Sequence, residues 1–233
     1  MEEKKICPYC KGRKFLGTGF NEIIENGHRT LYPYTEPCYC TLNSAINKRF
    51  GMLTGVGDAH PIDAKRVRKL FDKDGIKNFL LFGNESLFLY MVKCYFLTGF
   101  MNKNYMLLEG GNIVEQYNTP RPSGEWLTPS HLNQYDLLVL LFTTSARYPT
   151  LQECALEVIK NRFRLGVSTW VYLHKQEDLQ KCNEYSAGLD DYLDQYARKS
   201  VGRGTNLKGY RPMDKDSIIK NNTIRVNDIA GKD

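Results

Sequence analysis

Four nearly continuous apolar runs constrain the fold of this chain more than any other feature. They are FLLF at 79–82, YMLL at 105–108, YDLLVLLF at 135–142 and STWVYL at 168–173. A strand with one face in water would instead alternate apolar and polar residues. Strands buried on both faces have the observed composition, and they occur in parallel sheets that are covered by helices. The runs therefore predict an α/β body with a parallel sheet flanked by helices.

One of the connecting helices carries its own signals. Residues 150–153 have the form of a capping box directly after Pro149. An apolar stripe follows on one face of this predicted helix, and Gly166 is suited to end it. The stripe consists of Leu151, Ala155, Val158, Ile159 and Phe163. Another helix is expected after Gly83, where the strand FLLF turns into ESLFLYMVKCYF.

Four of the seven cysteines lie in the first forty residues, as two close pairs. Cys7 and Cys10 form a C-x-x-C knuckle in CPYCKG, in which Gly12 can adopt the positive φ that such a turn requires. Cys38 and Cys40 form a tighter C-x-C pair. The dipeptide Asn26-Gly27 between the pairs predicts a β-hairpin, which would bring them together.

In a reducing compartment, paired cysteines favour a metal over disulfides. The sequence therefore predicts an N-terminal zinc-binding hairpin module with one Zn²⁺ bound by all four thiolates, which leaves no open position for catalysis. The alternative is a set of four reduced surface thiols. The remaining cysteines, Cys94, Cys154 and Cys182, lie in apolar segments and are expected to be core thiols.

A glycine-rich stretch after the cysteines marks a boundary between units. The predicted organisation is a zinc module at 1–50, a linker and connecting helix at 51–75, an α/β body at 76–211 and a flexible tail at 212–233. No run of eighteen uncharged apolar residues is present, so no membrane span is expected. The start MEEKK has no apolar signal region, which predicts a cytoplasmic location.

The segment 197–211 is rich in basic residues and contains no acid. Its candidate DNA-binding residues are Arg198, Lys199, Arg203, Lys208, Tyr210 and Arg211. Cations can contact phosphates and a tyrosine can stack on a base, and proteins that bind single strands usually combine these two kinds of contact. A flexible, solvated stretch is the competing interpretation. The formal net charge of +6 is too small to indicate a polyanion ligand by itself.

In their order along the chain, these features resemble the helicase loaders of the DnaC/DnaI type, in the versions carried by phages and mobile elements. The similar segments run from residue 7 to residue 211 and are CPYCKG, PCYC, the glycine-rich linker, FLLFG, YDLLVLLF, NRFRLG, STWVYLH and KGYR. The resemblance implies an N-terminal zinc domain that contacts the replicative helicase. It also implies a C-terminal AAA+ ATPase domain that binds single-stranded DNA and oligomerises through nucleotide.

The chain departs from this family at the phosphate loop. A working loop ends in glycine, lysine and a hydroxyl residue, which contact the phosphates and Mg²⁺. Counted from Gly83, the corresponding positions hold Phe88, Leu89 and Tyr90. An apolar turn does not offset the desolvation of a nucleoside triphosphate and Mg²⁺.

A second ATPase motif departs in the same direction. The family strand that ends in paired acids resembles DLLVLLF here, with Leu141 and Phe142 at the acid positions. His174 stands where the family has its sensor asparagine. We therefore predict an AAA+-like fold that has no ATPase activity and binds no nucleotide.

These predictions combine into one leading hypothesis: an ATP-independent helicase loader, or loader-like accessory protein, in phage or mobile-element DNA replication. Its zinc module would contact a replicative hexameric helicase, and its body would contact single-stranded DNA or another replication subunit. The alternatives are an inhibitor that mimics a loader and blocks host helicase loading, an ATPase with an unrecognised site, and a zinc-ribbon nucleic-acid regulator. The sequence leaves open the helicase's identity, the stoichiometry and whether loading is assisted or blocked.

Overall fold

The computed structural model describes residues 7–25, 28–72, 75, 77–109, 129–142, 149–175, 179, 188–201 and 224–225. Its helices are α1 (Tyr39–Arg49), α2 (Pro61–Asp72), α3 (Glu85–Gly99), α4 (Pro129–Leu132), α5 (Pro149–Arg164) and α6 (Leu189–Asp194), with a 3-10 turn at Gly51–Gly55. Within these ranges, no helix combines the length and apolar character that crossing a bilayer would require.

Parallel strands form the central sheet. They are β3 (Asn78–Gly83), β4 (Tyr105–Glu109), β5 (Leu137–Phe142), β6 (Ser168–Leu173), β7 (Ala197–Val201) and β8 (Ile224–Arg225). Their spatial order is β4-β5-β6-β3-β7-β8, and each neighbouring pair is parallel. The four apolar runs are the first four of these strands, so the predicted α/β class with a parallel sheet is confirmed.

Helices cover both faces of the sheet. Side chains from α1, α2 and α3 form one core with alternate residues of the strands, such as Phe79 and Leu81 of β3. Leu80 and Phe82, which point the other way, pack with α4, α5 and α6. Burial on both faces is what the continuous apolar composition of the strands required.

The next helices described in full after the neighbouring strands β3 and β6 lie on opposite faces: α3 lies on one side of the sheet and α6 on the other. In open α/β sheets, a change of side between neighbouring strands opens a crevice at their carboxyl ends, where ligands usually bind. In this chain the corresponding position, which we call the strand-end crevice, lies between Gly83, at the end of β3, and His174, directly after β6.

After the turn that carries Cys7 and Cys10, the chain forms a long hairpin. Strand β1 (Phe15–Glu25) pairs antiparallel with β2 (His28–Pro37), and Glu25 lies opposite His28. The predicted hairpin is therefore confirmed, while Asn26-Gly27, on which the prediction rested, lies outside the described residues.

A buried lysine forms polar contacts with the segment that connects α1 to α2. Lys93, in the middle of α3, is fully buried. Its Nζ lies 3.5 Å from the Leu53 carbonyl oxygen, 3.3 Å from that of Val56 and 3.4 Å from Asp58 Oδ1. The region predicted as a linker therefore contacts the body through the ammonium group of Lys93.

Two local predictions need correction. Residues 197–201 belong to the stretch for which a flexible, solvated segment was one interpretation, but they form β7, with Arg198 opposite Leu80 and Lys199 opposite Leu81. The strand was missed because its polar sequence, ARKSV, lacks the apolar run of a strand buried on both faces. Helix α5 begins at Pro149, so Thr150 lies inside its first turn and not at its cap.

Candidate functional site

The four N-terminal cysteines meet in one cluster. The Sγ atoms of Cys7 and Cys38 are 3.7 Å apart, those of Cys10 and Cys40 are 3.6 Å apart, and all four lie within 4.8 Å of one another. In a tetrahedral thiolate site with metal–sulfur bonds of about 2.3 Å, sulfur–sulfur separations are about 3.8 Å. The cluster therefore has the dimensions of a site that could hold a metal ion.

The first cysteine pair sits on a knuckle of positive-φ residues. Lys11, Gly12 and Lys14 have φ values of 47°, 86° and 69°. This turn lets the Lys11 N–H donate to the Cys7 carbonyl oxygen (2.9 Å) and the Arg13 N–H to that of Cys10 (2.9 Å). The positive φ predicted for Gly12 is confirmed, and two lysines share the conformation at some steric cost.

The second cysteine pair lies where the hairpin passes into a helix. Cys38 is the N-cap residue of α1, and its N–H donates to the Lys14 carbonyl oxygen (3.0 Å). The Thr41 hydroxyl donates to the same oxygen (2.7 Å). The positive end of the α1 dipole points at the cluster, which favours thiolates at this position.

The surroundings shift the pKa values of Cys38 and Cys10 in opposite directions. Burial, and then the crowding of the neighbouring thiols, raises the pKa of Cys38 to about 12. Burial acts in the same direction on Cys10. Hydrogen bonds to the Lys14 and Gly12 backbone and to the Cys40 and Cys38 thiols outweigh it, and lower the pKa of Cys10 to about 7. A central cation would supply the charge that allows all four to ionise together.

The cysteine pairs are also joined through the residues between their members. Tyr9 packs edge-on against Tyr39, with ring centroids 6.0 Å apart. Its hydroxyl lies 2.7 Å from Nε2 of His60, which directly precedes α2. The cluster is therefore fastened to the α/β body through an aromatic contact and through α1, whose Leu42 and Ile46 belong to the core shared with α3.

At the strand-end crevice, aromatic side chains of the core pack beside Gly83. Phe88, fully buried in α3, stacks on Tyr172 of β6 with ring centroids 4.4 Å apart and planes 14° apart. The Tyr172 hydroxyl donates to the Gly83 carbonyl oxygen (2.6 Å). Burial, and then the charge of Glu85, raises the pKa of Tyr172, so the hydroxyl keeps the proton that it donates.

A carboxylate lies across the mouth of the same crevice. Glu85, in the first turn of α3, has Oε2 3.7 Å from Nε2 of His174. Asn84 caps this helix by accepting a hydrogen bond from the Leu87 N–H (2.9 Å). In a phosphate-binding loop, both the helix dipole and these first N–H groups would face an anion. Here a side-chain carboxylate and an amide oxygen take those positions.

The other positions that were predicted, from the resemblance, to correspond to ATPase motifs take part in packing. Leu141 is fully buried and Phe142 is partly buried against the core that contains α5. Leu89 and Tyr90 are partly buried on the opposite face of the sheet. The Tyr90 hydroxyl donates to Asp63 Oδ2 in α2 (2.8 Å). These side chains join α3 and β5 to their neighbours.

The candidate DNA-binding residues are only partly covered by the structure. Arg198, in β7, is half-buried and forms an ion pair with Asp194 at the end of α6. Lys199 lies in the same strand. The remaining four, Arg203, Lys208, Tyr210 and Arg211, lie outside the described residues, so a DNA-binding role for this set stays a prediction.

Sequence reasoning did not find the side chain that fills the crevice. Tyr172 was counted only as a member of the apolar run STWVYL. The signal was present, because strand alternation places Trp170 and Tyr172 on the face that carries α3. Predicting that it contacts Gly83 would also have required the sheet order, which places β6 beside β3.

No family model matches this sequence, and no curated protein matches it. Among solved structures, AMPPCP-bound DnaA from Aquifex aeolicus is similar, with a TM-score of 0.47 and 11% identity over 62% of this chain and 47% of that chain. A second similar structure is a DNA replication initiation factor, with a TM-score of 0.45 and 11% identity over 64% of this chain and 48% of that chain. This chain spans about half the length of the solved structures that it matches.

Proposed function

We propose that this chain is a nucleotide-independent accessory protein of DNA replication that binds a replicative helicase, as a loader or loader-like factor. The cysteine module, with a bound Zn²⁺, supplies the helicase contact. The basic segment at the end of the body, from Arg198 to Arg211, supplies a weaker contact with single-stranded DNA. The resemblance to DnaC/DnaI-type loaders supports the choice of partners, and the state of the crevice supports independence from nucleotide.

The observation that carries the proposal is the filled crevice. We interpret the Phe88–Tyr172 stack, together with the hydrogen bond to Gly83, as taking up the strand-end position where open α/β sheets bind ligands. Glu85 adds a negative charge at the helix end that would otherwise attract phosphate. A nucleotide would have to displace a buried aromatic pair and approach a carboxylate, so the free energy of binding would be unfavourable on both counts.

Zinc is the proposed metal because of the ligand set. Four thiolates at tetrahedral distances suit Zn²⁺, whereas Mg²⁺ and Ca²⁺ prefer oxygen ligands. With four protein ligands, no coordination position remains for a substrate, so the proposed role of the ion is structural. It would hold the knuckle of Cys7 and Cys10 against the start of α1 and thereby fix the base of the hairpin.

Helix α1 links this module mechanically to the body. It begins at the cysteine cluster and packs on α3. A displacement of the module when a partner binds would therefore be transmitted to the sheet through a rigid helix. Binding alone can open or close a ring protein, because a ligand shifts a conformational equilibrium by its differential affinity for the two states. Neither hydrolysis nor a bound nucleotide is needed for that.

Calorimetric titration with ATP and Mg²⁺ tests the nucleotide part of the proposal. We expect no saturable binding at ligand concentrations up to about 1 mM. The Leu89→Lys variant, which places a lysine at the position that corresponds to the phosphate-loop lysine, should behave in the same way, because Glu85, Leu141 and Phe142 remain. Micromolar binding by the natural chain would contradict nucleotide independence, whether or not hydrolysis followed.

A pull-down with the purified cognate and host replicative helicases tests the partner. We expect a complex with one of these helicases without added nucleotide, and its loss when a chelator has stripped the metal from the module. Absence of a complex with either helicase, at full metal content, would overturn the proposal. The sign of the effect on unwinding in a reconstituted assay then separates a loader from an inhibitor.

A further inference from the structure

The hairpin formed by β1 and β2 exposes a row of large apolar side chains. Strand alternation and the pairing register place Phe20, Ile24 and Leu31 on one of its two faces, together with Pro33. Phe20 and Ile24 are each 68% exposed and Leu31 is 54% exposed. We call this surface, completed by Thr18, Glu22, Arg29 and Thr35, the Phe20 face.

A two-stranded ribbon with these exposures is not expected to be stable by itself. Isolated hairpins are marginal in water, and independent stability needs further strands on a hydrophobic face or a helix packed against it. The cysteine cluster lies at the base of this hairpin, but the Phe20 face lies further out along the strands. Within the described part of the chain, its apolar side chains remain largely open to solvent.

The charges on the Phe20 face indicate what kind of surface can cover it. Glu22 and Arg29 form a two-pronged ion pair, with Oε1 to Nε at 2.5 Å and Oε2 to an amino group of Arg29 at 2.6 Å. The face therefore has no net charge, and its one cation is already engaged. A phosphate chain gains little from such a surface, because affinity for nucleic acid depends on cations that can replace counterions.

The same neutrality makes the face compatible with a copy of itself. When two such faces approach, no like charges accumulate, and each acid can lie near the other copy's base. The opposite face of the hairpin is partly self-covered: the Tyr34 ring lies directly over Gly19, where a Cβ would come within 2.6 Å of it. The large apolar residues of that opposite face, Ile23, Tyr32 and Tyr34, are 42%, 50% and 45% exposed. The Phe20 face is therefore the more exposed of the two sides.

We propose that the Phe20 face binds the Phe20 face of a second copy of this chain about a twofold axis. The two hairpins would pack as a four-stranded sandwich, with the exposed apolar side chains in its interior. This inference concerns self-association and does not depend on the proposed helicase contact. Eight side chains per copy are far fewer than the roughly 20–30 residues per side of a stable complex, so we expect a dissociation constant above about 1 µM.

Sedimentation velocity from about 1 µM to about 300 µM tests the proposal with a matched pair of variants. Ile24 and Ile23 are adjacent, exposed and of the same type, but they lie on opposite faces of the hairpin. The natural chain and Ile23→Lys should form dimers with rising concentration. Ile24→Lys should weaken the dimer at least tenfold, with metal content and circular dichroism unchanged.

A charge exchange keeps the test independent of hairpin folding. Glu22→Arg gives each Phe20 face two cations and should weaken the dimer, most strongly at low salt. Glu22→Arg combined with Arg29→Glu restores neutrality and should restore the dimer. The proposal is overturned if the natural chain stays monomeric throughout, or if Ile23→Lys and Ile24→Lys have equal effects. Loss of helicase binding in Ile24→Lys, with a monomeric natural chain, would assign the face to the helicase instead.

Discussion

Replacing Cys38 with serine is expected to remove the metal and to unfold the first part of the chain. Cys38 is fully buried, its sulfur lies 3.7 Å from that of Cys7, and its backbone caps α1. Metal binding contributes about 10 kcal/mol or more to the folding of small structural zinc sites, which is comparable to the whole stability of a domain. We expect the metal content, measured by elemental analysis, to fall from one ion per chain to nearly none.

The effect should extend beyond the hairpin, because Leu42 and Ile46 of α1 lie in the main core. The melting temperature of the whole chain should therefore fall as well. Cys94→Ser is the matched control: this thiol is fully buried in α3, away from the cluster, as the sequence predicted. That variant should keep its full metal content. Equal metal content in the two variants would contradict the four-cysteine site.

The strands of the sheet could be predicted from the sequence because burial on both faces determines their amino-acid composition directly. A strand enclosed by helices must be apolar at nearly every position, and the runs in β3, β4, β5 and β6 all satisfy this rule. The runs do not specify the order of the strands. That order depends on how the crossovers pack, which is a property of the whole fold.

Charged residues inside the protein could not be predicted in the same way. Lysine and arginine side chains are mostly exposed in folded proteins, but Lys93 and Arg162 are fully buried here. The Arg162 guanidinium donates to the Thr169 hydroxyl (3.0 Å) and to the carbonyl oxygens of Tyr135 (3.0 Å) and Ser168 (2.6 Å). Such residues are buried because distant backbone carbonyls need donors, and a linear pattern contains no sign of that need.

In the candidate site, too, some features could be predicted from the sequence and others could not. The four cysteines were predicted because a metal site needs particular ligands at short spacings, and a hairpin signal lay between them. The contact of Tyr9 with His60 was not predicted, since the two residues are 51 positions apart and neither belongs to a motif. Local chemistry was therefore visible in the sequence, while the way in which the module is fastened to the body was not.

Replacing Trp170 with alanine is expected to cause the largest loss of stability in the α/β body. Trp170 is 2% exposed and stacks on Phe71 of α2, with ring centroids 4.0 Å apart. Phe79 of β3 and Tyr95 of α3 pack on it at 5.9 Å and 4.7 Å. Truncating a buried tryptophan typically costs about 3–5 kcal/mol, because apolar contacts are lost and a cavity remains.

For a domain of this size, that loss corresponds to a fall in melting temperature of roughly 10 °C. Trp170→Phe, which keeps an aromatic ring against Phe71, should lose less than half as much. Tyr172→Phe is the informative control, since it lies two residues along the same strand and on the same face. It removes only the hydroxyl, which donates to the Gly83 carbonyl oxygen and lies 3.4 Å from His174 Nδ1, so its cost should stay at about 1 kcal/mol. If Trp170→Ala unfolds in urea at the same midpoint as Tyr172→Phe, the aromatic cluster does not join α2 and α3 to the sheet as the structure indicates.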